Sequence, residues 1–441
     1  MVDRRTFTTL LAGAIVAAPK ASFGQSAMKP KTPDAMTSNA MTSKSKTAKD
    51  VFYASTGPEL TFYDVDVDGA TLTKRGVVTT AANIQYAWPH PSKQYLYVVS
   101  SDGGPGSSGA VGTAQGTGGA KHIANVFKID PATGALTPYG ETIALSSRPI
   151  HTSVDMAGEY LLIAHNNPSS LTVLRINKDG TLGEQVKQPD GLDTGKYAHQ
   201  IRATPDNKFV ILNTRGNNAP TDKTINPGSL KVFGFKDGVL SNVAAIQPGD
   251  GMHFGPRHLD FHPTEPWVYV SIESQNKLYV YKRDPVTGLS RDPIFMKETL
   301  ADPASKFEQQ AGPIHVHPNG RFVYLTNRAY ATTEFEGKQV FVGGENSVTA
   351  YAIDQKTGEP KQLKSVEAHA NYLRTFGIDR SGRILVTASV WPMPMREGTT
   401  LPAAIGVFRI GDDGKLAFVR NYEVDASARK QQFWAGMITL A

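Results

Sequence analysis

The sequence predicts an all-β fold, a seven-bladed β-propeller closed by pairing of its N- and C-terminal strands, and two repeating patterns with one closing segment predict it. The first pattern is a polar turn, an aromatic or aliphatic residue, and a β-rich run ending in small or polar groups. Its copies are PSKQYLYVVSS from Pro91, MAGEYLLIAHN from Met156, PDNKFVILNTR from Pro205, PTEPWVYVSIE from Pro263, PNGRFVYLTNR from Pro318 and RSGRILVTASV from Arg380. A seventh run, VFYASTG from Val51, lacks the turn. The second pattern is a strand followed by a tight turn and, usually, Leu. It occurs at Phe62, Val126, Val173, Val232, Val280, Ala350 and Val407. Asp-Gly and Thr-Gly in these turns supply the positive φ that tight hairpins require, and the flanking residues are β-branched or aromatic. The closing segment, Phe433 to Ile438, would supply the inner strand that the turnless run at Val51 lacks.

A repeated four-stranded sheet buries neither face alone, so stacking around a channel is the economical architecture. No stretch of helical period separates the strands, which excludes an α/β alternation. Repeat spacing exceeds the ~40–50 residues usual for a blade. The excess lies in segments 102–120, 215–228, 329–345 and 391–403, all following the first pattern.

Residues 1–26 read as a signal peptide. Asp3-Arg4-Arg5-Thr6-Phe7 precedes the apolar run Leu10 to Ala18 and small residues suited to cleavage. Paired arginines before a short, mildly apolar segment resemble a twin-arginine signal, which implies passage through the twin-arginine export machinery to the periplasm or medium. The apolar run falls short of the ~20 residues of a spanning helix, so no stable membrane insertion is expected. Residues 27–49, rich in Lys, Ser, Thr and Ala without apolar periodicity, read as a disordered linker. Residues 50–441 then form a single propeller domain.

The chain has no cysteine, which excludes disulfides, thiolate metal sites and a cysteine nucleophile. Its net charge of +6 is partly carried by the linker, and no basic stripe is interleaved with aromatics, so nucleic acid is not an expected partner. His253, His258 and His262 would straddle both faces of a blade; His315 and His317 alternate along one strand and could chelate, but two imidazoles alone do not make a site, and neither metal nor cofactor is expected. The Gly-rich tract from Gly103 to Gly109 lacks the strand, lysine and helix of a phosphate loop and reads as a surface insertion.

In a propeller blade, the start of the inner strand and the end of the second strand share one face. His90, His262 and His317 precede prolines in the opposite turns and are assigned to the other face. His151, His199 and His258 start inner strands, Glu273, Asn327 and Arg328 end second strands, and His315 lies mid-strand where it can face the channel. One rim therefore collects imidazoles, a carboxylate and arginines from different blades.

Gly255-Pro256-Arg257-His258-Leu259-Asp260-Phe261-His262-Pro263, with Glu273 ending the next strand, resembles a motif of the seven-bladed lactonase family, which includes 6-phosphogluconolactonase and carboxymuconate lactonizing enzyme. Ala198-His199-Gln200, the stretch from Ile314-His315 to Asn327-Arg328, and Arg374-Thr375-Phe376-Gly377 resemble three further segments of that family. The sequence departs from it at Asn213-Thr214-Arg215-Gly216 and Ala388-Ser389-Val390. The resemblance implies a small-molecule lactone as substrate. Hydrolysis places negative charge on the carbonyl oxygen, which arginines stabilise, and needs a base to activate water. His199, Arg257, His258 and Glu273 are the expected catalytic residues; His151, His315, Asn327, Arg328 and Arg374 are expected to bind substrate. Three readings compete with lactone hydrolysis. Arg257 and Glu273 can form a purely structural ion pair, and the same arginines can hold a muconate-like diacid for the reverse, cyclising reaction. The insertions, with Tyr330 and Trp391, can serve a non-catalytic binding platform.

Overall fold

The computed structural model describes residues 49–103, 119–217, 226–427 and 430–440, and the signal and linker expectations lie outside them. Seven four-stranded antiparallel sheets follow one another along the chain. We number the blades by their inner strands: Asn83–Pro89 (blade 1), Pro149–Val154 (blade 2), Ala198–Ala203 (blade 3), Pro256–Phe261 (blade 4), Gln309–Val316 (blade 5), Leu373–Ile378 (blade 6) and Ala435–Thr439 (blade 7). In blades 1–6 the chain runs outward from the inner strand. Blade 7 is composite: Ala435–Thr439 pairs antiparallel with Asp50–Thr56, in the register Asp50 to Thr439 through Ala54 to Ala435. The ring thus closes as the sequence predicts. Insertions 329–345 and 391–403 carry small hairpins, Thr332–Phe335 with Lys338–Phe341 and Met393–Pro394 with Thr400–Leu401.

The two repeating patterns interlock between blades, which explains why both recur. The aromatic that opens each second strand lies under the glycine in the outer turn of the next blade: Tyr95 under Gly180, Tyr160 under Gly238, Phe209 under Gly288, Trp267 under Gly358 and Phe322 under Gly414. A methyl group at Gly358 would lie 2.4 Å from the Trp267 ring, and its φ of 81° disfavours any side chain in addition. Two residues further along the second strand, a tyrosine hydroxyl donates to the same glycine's carbonyl, as with Tyr97 and Gly180 (2.9 Å), Tyr269 and Gly358 (2.9 Å), and Tyr324 and Gly414 (3.0 Å). In the outer turn of blade 7, Ala70 (φ 48°), not Gly69, takes the positive φ expected of the glycine. Ile384 replaces the aromatic there and shares a core cluster with Ala70.

On the inner turns, His90, His262 and His317 link each blade to the next. Their Nε2 atoms lie 3.0, 2.8 and 2.9 Å from the carbonyls of Gly158, Gly320 and Gly382. Each is a buried or half-buried imidazole spent on a backbone bond.

Candidate active site

Six inner strands carry a β-bulge near their start, and it aims the site. The ladder between inner and second strands skips Gln85 in blade 1, Ile150 in blade 2, His199 in blade 3, Arg257 in blade 4, Gly312 and Pro313 in blade 5, and Arg374 in blade 6. A bulged residue leaves the pleat and re-aims its side chain. Four of these positions hold long polar side chains, and those side chains converge.

Glu273, at the end of the second strand of blade 4, lies at the centre of three arginines, one of them the bulged Arg257. Its carboxylate takes Arg215 Nη1 at 2.7 Å, Arg257 Nε at 3.2 Å and Arg328 Nη2. Arg257 and Arg328 are buried. Burial by itself would raise the Glu273 pKa, but Arg215, Arg328 and Arg257 together lower it to about 2. Two more arginines lie beside this cluster. The Arg374 guanidinium is 3.6 Å from the Phe433 ring centroid, and Arg148 donates twice to Gln85 Oε1, at 3.0 and 2.6 Å. Burial, reinforced by neighbouring arginines, lowers the Arg148 pKa to about 9 and that of Arg374 to about 10. Arg257 is pushed down by burial and by the charges of Arg328 and Arg374, against Glu273. Three guanidinium groups thus share one carboxylate with two more beside them, and the cluster is short of negative charge.

Three imidazoles border the arginines. His258 lies 5.1 Å from His199 and 5.8 Å from His151, centroid to centroid, and the Tyr86 ring packs on His151 at 4.0 Å, tilted by 38°. Burial, then the nearby arginines, lowers all three histidines well below the ordinary imidazole pKa, so they are neutral at pH 7. Arg257 Nη1, Arg328 Nε and Nη1, Arg374 Nε, His151 Nε2, His199 Nδ1 and His258 Nε2 are buried without a hydrogen-bond partner. Buried polar atoms are nearly always paired in a finished interior, so such a concentration marks a place made for a ligand.

Tyr330 and Trp391, which the platform reading would use, pack through Tyr372 against this cluster. Trp391 stacks on Tyr372 at 4.7 Å, Tyr330 meets Tyr372 edge-on at 5.4 Å, and the Arg328 guanidinium lies 4.6 Å from the Tyr372 ring.

Further along the inner strands a second polar group lies on one rung of three successive blades. Arg202 of blade 3 reaches Asp260 Oδ1 of blade 4 (3.4 Å), and Asp260 Oδ2 reaches His315 Nδ1 of blade 5 (3.4 Å). Arg202 also lies over Trp88, 4.6 Å from its centroid.

Of the residues singled out in the sequence, His151, His199, Arg257, His258, Glu273, Arg328 and Arg374 come together, and His315 lies on the adjoining rung. Asn327 does not join them. Its amide donates to the Thr299 carbonyl (2.8 Å) and to Thr349 Oγ1 (2.9 Å), inside its own sheet and the loop before it. Neighbouring strand residues point to opposite sides, so with Arg328 facing the site Asn327 must face away. Arg148, Arg215, Gln85, Tyr86, Asp260 and Phe433 belong to the site and were not singled out as part of it. For Arg215 the signal was present, as the arginine in the Asn213-Thr214-Arg215-Gly216 departure.

The family model for the seven-bladed β-propeller lactonases matches residues 47–390. The chain belongs to that family, which is a class of hydrolases that open lactones. Among curated relatives it is 25% identical over 327 residues to the 6-phosphogluconolactonase of Bacillus subtilis, covering 74% of this chain and 83% of that one. It is 28% identical over 265 residues to the 6-phosphogluconolactonase of Pectobacterium carotovorum, covering 59% and 69%. Among solved structures the periplasmic gluconolactonase of Pseudomonas aeruginosa shares the fold, with a TM-score of 0.67 at 18% identity over 90% of this chain and 99% of that one. Among the described residues no helix is long and apolar enough to cross a membrane.

Proposed function

We propose that this lactonase hydrolyses a sugar-derived or muconate-type lactone to its hydroxy acid in the periplasm, with the arginine cluster around Glu273 polarising the carbonyl. The concentration of buried, unpartnered guanidinium and imidazole nitrogens carries the reading, because a lactone carbonyl becoming an oxyanion supplies the acceptor they lack. Glu273 holds three of the arginines in place, which suits it to positioning. With its basicity lowered by those partners, proton transfer falls to an imidazole. His151, His199 and His258, neutral at pH 7, border the pocket as hydrogen-bonding groups. Export is supported by the paired arginines Arg4 and Arg5 ahead of the apolar run. The aromatic wall over Arg328 favours a pocket over a docking platform.

The test is turnover of a panel of aldono-, phosphoglucono- and muconolactones, followed by acid release and run beside Arg257→Ala. A loss of about 10²–10³ in kcat for the variant, with the fold intact, supports the reading. Turnover indifferent to the change refutes it. Cyclisation of a diacid in preference to hydrolysis would reverse the assigned direction at the same site.

A further inference from the structure

We propose that His315 is the proton acceptor for the attacking water and that Asp260 is its positioning residue, an inference that rests on the lactonase reading above. Five observations point to this pair. Among the channel imidazoles of the described residues, His315 has a carboxylate partner, Asp260 Oδ2, at 3.4 Å from Nδ1. The His315 side chain is 31% exposed, whereas His151, His199 and His258 are buried. Asp260 is itself fixed from three directions. The Val316 amide donates to Oδ2 at 3.0 Å, the Phe261 amide to Oδ1 at 3.0 Å, and Arg202 Nη1 approaches Oδ1 at 3.4 Å. Phe376 packs edge-on against the His315 ring at 4.7 Å and limits its rotation. Finally, His315 lies within electrostatic reach of His258, which ties this rung to the arginine pocket.

A carboxylate that receives Nδ1–H fixes the tautomer and leaves the Nε2 lone pair free. The charged and titratable groups facing the His315–Asp260 pair include Arg202 from blade 3, His258 from blade 4 and Tyr86 from blade 1, and blade 6 presents the Phe376 ring. Burial alone would raise the Asp260 pKa. The hydrogen bond from His315, the Arg202 charge and the Val316 amide together hold it below the ordinary carboxylate range, so it stays ionised as His315 gains a proton.

The step balances without a co-reactant. Nε2 takes one proton from water as the water oxygen bonds to the lactone carbonyl carbon. The bond from that carbon to the ring oxygen then breaks, and the imidazolium returns the proton to the leaving alkoxide. The product is the hydroxy acid. The arginines bind the carbonyl oxygen throughout and His315 changes charge, which separates the two tasks between two rungs of the channel.

The experiment measures kcat and kcat/KM against pH for the full chain, His315→Gln and Asp260→Asn on the best lactone of the panel, with circular dichroism of each protein. For His315→Gln the expected result is a loss of roughly 10²-fold or more in kcat, with the acid limb of the profile removed and KM little changed. For Asp260→Asn it is a smaller loss in kcat with the acid limb moved to lower pH, and Asp260→Glu restores part of the rate. Asp260→Asn decides the matter alone if His315→Gln does not fold. An unchanged acid limb in both variants, or a kcat within about twofold of the parent, overturns the assignment of His315 while leaving the lactonase reading to Arg257→Ala. No turnover of any lactone by the parent chain overturns both.

Discussion

Replacing Glu273 by Gln keeps the shape of the side chain and removes the one carboxylate shared by Arg215, Arg257 and Arg328. Two independent routes give the same size of effect. Breaking a buried ion pair from one side costs about 3–5 kcal/mol, because the partner charge stays buried and uncompensated. The depression of the Glu273 pKa from 4.5 to about 2 corresponds to ~3 kcal/mol at ~1.4 kcal/mol per unit. A carboxylate with a depressed folded pKa contributes this stability above its unfolded value of 4.5, and the contribution is lost as pH falls from there through about 2. Glu273→Gln should therefore be destabilised by about 3 kcal/mol at pH 7, and the gap to the parent should close as pH approaches 2. Spread over a propeller of this size, ~3 kcal/mol moves Tm by only a few degrees, so urea unfolding at a series of pH values is the sharper assay. A variant within about 1 kcal/mol of the parent at pH 7 would refute the argument. So would a deficit that does not change between pH 7 and pH 3.

Tyr269→Phe removes the bond to the Gly358 carbonyl and should cost about 1–3 kcal/mol in urea unfolding with turnover unchanged, since the bond lies between blades and outside the pocket. His317→Ala, which frees the Gly382 carbonyl, should likewise lower stability and spare kcat. His165, bound between the Ser147 carbonyl and Thr172 Oγ1, has its pKa lowered to about 4 by burial. A histidine with a depressed folded pKa contributes stability that is complete above 6.5 and lost as pH falls toward 4, a loss of ~3 kcal/mol. His165→Gln should be slightly less stable than the parent at pH 7 and more stable near pH 4, a crossing that urea midpoints at the two pH values would reveal.

Blade number, ring closure and the face that carries the arginine and imidazole cluster were legible in the sequence because each is written in short-range signals. The aromatic after the inner turn and the glycine of the outer turn are separate local patterns, and their pairing as Trp267 with Gly358 or Phe322 with Gly414 needed the structure. Strand starts and ends locate His199, Arg257 and Glu273 on one rim without any knowledge of packing. The bulges were not legible. They are one-residue slips of the hydrogen-bond ladder with no composition of their own, yet they decide that Arg257 and Arg374 point inward. Asn327 shows the opposite case, since the alternation of a strand could have ruled out two adjacent residues facing one site. Arg148 and Asp260 escaped notice because their roles depend on partners one or more blades away, Gln85 and His315.

The composite blade ties the chemistry to the last long-range contact the chain makes. Thr439 bonds to Asp50 across 389 residues, and the residues leading into that strand include Phe433, on which Arg374 rests, and Trp434, which packs on Tyr86. Pairings so distant in sequence carry the largest loop-closure cost and form late in folding. An open ring, however complete its other six sheets, lacks the floor beneath Arg374 and the support behind Tyr86. Turnover therefore serves as a reporter of latch engagement: partial unfolding that frees the terminal strand should silence the enzyme before the bulk of its β-structure is lost.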